Sequence, residues 1–167
     1  MNNIKLNLGC GDEYLEGYVN CDMYASKVDM RFDASKINFG NNEVDEIRAY
    51  HLIEHFDFKQ VFDVLKEWCR ALKPGGILRV ETPDFLNSCK SFVEGNEQVR
   101  LNLYGHFFAQ PWLDGFVHKF LFTEAQLRWS LEQCGFKDIQ RMCPDSSYAK
   151  SNFLNPNIYL NIKAIKA

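Results

Sequence analysis

Leu6-Asn7-Leu8-Gly9-Cys10-Gly11, near the start of the chain, constrains the architecture more than any other run of residues. An apolar strand runs into a Gly-x-Gly turn, and the next strand-like stretch, Tyr18–Cys21, is closed by an acid, Asp22. Glycines at such a turn let the backbone take φ > 0 and leave no Cβ between main chain and ligand. At the carboxyl end of a first parallel strand, a turn of this kind lies against a nucleotide-like ligand. A lone Gly-x-Gly is common in ordinary turns, so its weight comes from the residues around it.

Past this turn, Ile4–Leu8, Tyr18–Cys21, Val28–Met30 and Val44–Ala49 read as short strands between polar turns. From Phe58 the pattern changes: Val61, Leu65, Trp68 and Leu72 recur at helical spacing, and Lys73-Pro74-Gly75-Gly76 stops the helix. Ile77–Glu81 reads as a strand ending at Thr82-Pro83-Asp84. Thr123 with Gln126 three residues on predicts a capping box. Leu127, Leu131 and Cys134 form that helix's apolar stripe, and Gly135 fits its C′ position. Lys137–Met142 and Ile158–Ala164 read as final strands. Strands alternating with helices predict a βαβ-type parallel sheet with its ligand at the carboxyl edge.

Two details depart from the usual arrangement. Only ten residues separate Gly11 from Asp22, too few for a full crossover helix and the second strand. Lys5 and Asn7 alternate with apolar residues in the first strand, and Arg79 and Glu81 share a face in a later one. A parallel strand buried on both faces is apolar on both. One sheet face is therefore expected to be thinly covered, wet, or closed by a second copy in a homodimer.

The bulk numbers agree with one soluble domain. The chain has 167 residues, of which 46% are hydrophobic and 25% charged, with a net charge of −3. That balance gives no reason to expect nucleic acid or an anionic membrane as partner. No apolar run is long enough to span a bilayer, and Met1-Asn2-Asn3-Ile4-Lys5 lacks the features of a signal peptide. Six irregularly spaced cysteines with no Cys-x-x-Cys read as reduced thiols, so the expected location is cytoplasmic.

Together these residues resemble the class I S-adenosylmethionine-dependent methyltransferases, in their compact type 11 branch. Five stretches carry the resemblance: Leu6–Gly11, Val19-Asn20-Cys21-Asp22, Phe32-Asp33-Ala34, Val44-Asp45-Glu46-Ile47 leading to His51-Leu52-Ile53-Glu54-His55, and Leu72-Lys73-Pro74-Gly75-Gly76. Phe122-Thr123-Glu124 followed by Gly135-Phe136 matches the later helix. The resemblance runs from about residue 4 to 142 and implies an α/β, Rossmann-like fold: a mostly parallel seven-stranded sheet, helices on both faces, a shortened first crossover and an antiparallel last strand. It implies one domain over 1–167, with an aromatic-rich lid or interface segment at about 85–121. S-adenosylmethionine is the implied cofactor. Gly9, Cys10 and Gly11 would lie along its methionine part. Asp22 would accept from both ribose hydroxyls, Met23 would pack on the adenine, and Asp33 and the Ala34 N–H would meet the adenine edge. Tyr50 and His51 would sit near the sulfonium. Asn7 stands where many relatives carry an acid, and Glu13 where a third glycine often falls.

Other readings of the same residues are weaker. A dinucleotide site needs a third glycine where Tyr14 stands. His51-Leu52-Ile53-Glu54-His55 fits an H-x-x-E-H zinc pattern, but no third ligand accompanies it in a helical context, so no metal is expected. The segment with Tyr104, His106, Phe107, Phe108, Trp112, Phe116 and His118 is either a lid over the acceptor or an apolar packing surface. A hydroxyl acceptor needs its proton removed, a task suited to histidine. His118 is the first candidate, followed by His51 and His106. No Asn/Asp-Pro-Pro-aromatic tetrapeptide follows the fourth strand, which disfavours nucleobase amines. The expected function is O-methylation of a small-molecule or glycan-type acceptor, with S-adenosylhomocysteine as product. The alternative is a non-catalytic module that senses S-adenosylmethionine or scaffolds another enzyme.

Overall fold

The computed structural model describes residues 3–109, 116–147 and 156–167. The strands are β1 (Lys5–Leu8), β2 (Val19–Cys21), β3 (Val44–Tyr50), β4 (Leu72–Pro83), β5 (Phe136–Met142) and β6 (Tyr159–Lys166). The helices are α1 (Phe58–Ala71), α2 (Phe85–Glu94), α3 (Glu97–Phe108) and α4 (Glu124–Gln133). Ile53–His55 and Pro156–Ile158 form 3₁₀ turns. One sheet runs in the order β2-β1-β3-β4-β6-β5, with β1 to β4 mutually parallel and β6 antiparallel to both its neighbours.

The sheet has six strands among the described residues, not seven. Val28–Met30, expected as a strand, supplies one isolated bridge, Cys21 to Met30. Asp29 explains why the ladder does not extend. Its carboxylate accepts from the Asn20 backbone and side-chain N–H groups and from the Tyr14 hydroxyl, which shapes the segment as a side-chain-bonded turn. Between β1 and β2 the backbone forms turns and no helix.

Residue spacing gives the sheet two unlike faces. Leu6, Leu8, Ile47, Ala49, Leu78, Val80, Ile162 and Ala164 face one side, where they join Val61, Val64, Leu65 and Trp68 of α1 and Leu127 and Leu131 of α4 in a single core. Helix α1 begins with a capping box, Asp57 with Gln60. Helix α4 begins with the expected one, Thr123 with Gln126, and ends before Gly135 at φ 92°.

The opposite face carries a polar row across the register: Asn20, Asn7, Arg48, Arg79 and Lys163. Arg48 donates to Asn7 Oδ1 at 2.9 Å and to Glu13 Oε2 at 2.6 Å, and lies over the Tyr50 ring at 3.7 Å. Asn7 in turn donates to the Glu13 carbonyl. Turn residues after β1 thus cover this row where a crossover helix would stand. Beside them is a cavity of about 430 Å³ lined by Lys5, Tyr18, Glu46, Arg79 and Asp145 among others. No helix among the described residues is long and apolar enough to cross a membrane. Trp112 lies outside the described residues.

Candidate active site at the carboxyl edge

The parallel strands deliver their carboxyl ends to one edge, and the Gly-x-Gly turn is the first feature there. Gly9 has φ 62° and Gly11 φ 50°, the left-handed region that favours glycine. A Cβ on Gly9 would meet Leu52 Cδ1 at 2.8 Å, so this turn approaches the segment after β3 very closely. The Cys10 N–H donates to the Cys21 carbonyl, joining the turns after β1 and β2. Burial, aided by the negative charge of Asp22, pushes the Cys10 thiol up to about 11, so it is neutral near pH 7.

Asp22 ties this edge together. Its Oδ2 accepts from the Gly11 N–H at 3.0 Å, and its Oδ1 accepts from the N–H groups of Tyr24 and Ala25 at 2.6 and 2.9 Å. Met23, the next residue, is 45% exposed, a large apolar side chain left open beside a carboxylate. Asp33 lies at the surface and accepts from the Ser35 N–H. Ala34 is buried, and its carbonyl accepts from Trp68 Nε1 at 2.8 Å, which ties this loop to α1. Gly9 to Gly11, Asp22 and Met23 are thus brought together. Tyr50 turns to the polar sheet face, where its hydroxyl accepts from Asn161 Nδ2. Burial pushes that phenol's pKa well above its ordinary value.

All four histidines of the chain gather at the same edge around one buried acid, Glu54. His51 has φ 51° at the end of β3 and donates its backbone N–H to the Glu81 carbonyl. Its ring lies between two carboxylates, with Nδ1 3.4 Å from Glu54 Oε1 and Nε2 3.3 Å from Glu81 Oε1. Burial alone would disfavour the imidazolium, but the two acids outweigh it and raise the ring to about 9. In return His51 holds both carboxyls below the usual range, although burial opposes this. Glu54 Oε2 accepts from the Thr82 hydroxyl at 2.9 Å.

The other three histidines have their protons placed by backbone carbonyls. His106 Nε2–H donates to the Ile158 carbonyl at 3.1 Å, and burial with the nearby positive His51 lowers its pKa to about 4. His118 Nδ1–H donates to the His106 carbonyl at 3.0 Å, and burial lowers its pKa. His55 Nδ1–H donates to the Val117 carbonyl at 3.1 Å. A carbonyl only accepts, so each bond fixes the tautomer. In His55 and His118 it leaves the Nε2 lone pair as the ring's acceptor.

The helical geometry that the disfavoured H-x-x-E-H pattern would need, with both histidines on one face, does not form. Only Ile53–His55 takes up a 3₁₀ turn, and His51 stands before it in a left-handed conformation. Reading the sequence also missed the roles of Glu54, Glu81, Thr82 and Ser146 around the His51 ring. An acid set between Ile53 and His55 in an apolar stretch was the one available signal.

Residues 18–80 match the family described as a methyltransferase domain. No curated protein matches the sequence. Solved structures similar over nearly the whole chain include the following three. A methyltransferase from Thermotoga maritima, described as S-adenosylmethionine-dependent and a possible histamine N-methyltransferase, has TM-score 0.64 at 15% identity, covering 100% of this chain and 83% of that one. An S-adenosylmethionine-dependent methyltransferase from Archaeoglobus fulgidus has TM-score 0.64 at 18% identity, covering 98% and 86%. One from Methanosarcina mazei has TM-score 0.64 at 18% identity, covering 99% and 93%. At such identities the likeness is one of fold.

Proposed function

We propose that this chain, a class I S-adenosylmethionine-dependent methyltransferase by its fold and by the match over residues 18–80, transfers the cofactor's methyl group to an oxygen of a small or glycan-type acceptor. One observation carries the reading: the Asp22 carboxylate, held by the Gly11 N–H, stands at the joined carboxyl ends of β1 and β2 beside the half-exposed Met23. A carboxylate there suits a ribose diol, which offers two donors to a pure acceptor. Gly9, Cys10 and Gly11 would follow the methionine part, Met23 the adenine face, and Asp33 with the Ala34 N–H the adenine edge. Tyr50 and His51 would border the sulfonium end.

Methyl transfer from a sulfonium is an in-line displacement, so holding acceptor and methyl collinear supplies much of the rate. The acceptor's hydroxyl proton would leave through the histidine–glutamate cluster, with His118 as its entry. His51, an imidazolium between two acids, would act by charge, and His106, bonded to Ile158, by holding His118 in place.

Calorimetry with S-adenosylmethionine tests the cofactor part. Binding is expected, and Asp22→Ala should weaken it about tenfold or more, as loss of a charge-assisted hydrogen bond does. Absence of binding heat would remove the proposal. Turnover to S-adenosylhomocysteine over a panel of sugars and phenols tests the reaction. His118→Ala should cut turnover far more than cofactor affinity. A second reading, a module that binds the cofactor without catalysis, is favoured by the ion pair of Glu13 and Arg48, which puts a carboxylate inside the glycine-turn segment. Binding without turnover on any acceptor would select it.

A further inference from the structure

The histidine–glutamate cluster has a geometry that proton transfer alone does not require. Glu54 and His55 come from the 3₁₀ turn after β3, and His118 comes from the segment that crosses it. The crossing is fixed by the N–H groups of Lys119 and Phe120, which both donate to the Glu54 carbonyl at 2.7 and 3.2 Å. One ligand atom from each of Glu54, His55 and His118 lies within 4.8 Å of the other two. We propose that these three side chains form a binding site for one divalent first-row transition ion, with zinc as the fitting probe.

Three features support the assignment. Two imidazoles and a carboxylate are the donor set that suits zinc, iron or nickel rather than calcium or magnesium. Both rings give their Nδ1 proton to a backbone carbonyl, the outer-shell contact that orients metal-binding histidines and leaves Nε2 as the ligand atom. Glu54 is fully buried, and its Oε1, ion-paired with His51 Nδ1 at 3.4 Å, also faces His118 Nε2 at 4.0 Å.

Zinc bonds of about 2.0–2.1 Å in tetrahedral geometry put ligand atoms about 3.3 Å apart, so side-chain rotations of about 1.5 Å or less close the set. The ion would replace the contact of His51 with Glu54 Oε1, and Glu81, at 3.3 Å, would keep the His51 charge paired. Three protein ligands leave a position for water or for an oxygen of a bound molecule, as in zinc sites that do chemistry. The ion would also clip the 116–120 segment to the turn after β3.

The test uses the full chain after dialysis against a chelator, titrated with Zn²⁺ by calorimetry and with Co²⁺ by visible absorption. One ion per chain is expected, with cobalt bands of nitrogen and oxygen ligation. His55→Ala and His118→Ala should each weaken binding about tenfold or more. Glu54→Gln should do the same, and if that variant does not fold, the half-buried His55 still decides. No saturable binding, unchanged affinity in both histidine variants, or a thiolate-to-cobalt band would each overturn the site. Cofactor titration is a separate measurement, so cofactor binding and the ion site can each fail while the other stands; an ion on His118 Nε2 would bar that ring from taking the acceptor's proton, which turnover with and without added Zn²⁺ reads.

Discussion

Gly9 shows how a single residue joins two loops. Its φ of 62° disfavours any L side chain, and a Cβ would press on Leu52 at 2.8 Å. Gly9→Ala is therefore expected to cost about 1–3 kcal/mol in urea denaturation, from the strained backbone together with the clash. Pairing it with Leu52→Ala should recover only the clash, relative to Leu52→Ala alone, because the backbone strain remains. Asp22 likewise ties the Gly11 N–H to the turn at Tyr24 and Ala25. Both residues stand out in the sequence because a glycine pair and an acid at strand ends carry local signals. Glu54 does not. Its burial and its contact with His118 depend on a crossing by a distant segment, which no local spacing encodes.

Among the elements, the helices are the most legible. The stripe from Val61 to Trp68 and the Thr123–Gln126 box are written in residue spacing, and α1 and α4 form where that spacing points. Thr123→Ala should lower stability by about 1 kcal/mol in chemical denaturation, since it orphans the Gln126 N–H at the start of α4. Strand β3 carries a pH effect. Burial would raise the Glu46 carboxyl, but hydrogen bonds from the Tyr18 hydroxyl and Arg79 hold it below its ordinary 4.5. A carboxylate depressed on folding adds stability that is present above its unfolded pKa and is lost as pH falls through the folded value. The urea midpoint should fall as pH drops from neutrality into that acid range, and Glu46→Gln should start lower and fall less steeply. The missing strand at Val28–Met30 marks the limit of period-based reading. Asp29 offers the backbone a side-chain partner, and that local choice overrides a short β-prone run.

Across the molecule, the unusual sheet face is visible in advance. Lys5, Asn7, Arg79 and Glu81 announce its polarity through alternation alone. How that polarity is satisfied is not readable, because it depends on the strand order: Asn20, Asn7, Arg48 and Arg79 become neighbours only once four strands are in register. The Arg48–Glu13 pair then anchors the turn that covers them.

The strand order also constrains how the chain can be assembled. Because β6 lies between β4 and β5, the ribosome makes the strand that joins the sheet's two parts after all the others. Until it emerges, β4 has one ladder of backbone groups open and β5 has no sheet partner, a state that invites pairing with other chains. Long sequence separation between paired strands also slows folding. A nascent chain of this protein therefore carries an open seam until β6 is free, and chaperone demand should be highest just before that strand clears the exit tunnel.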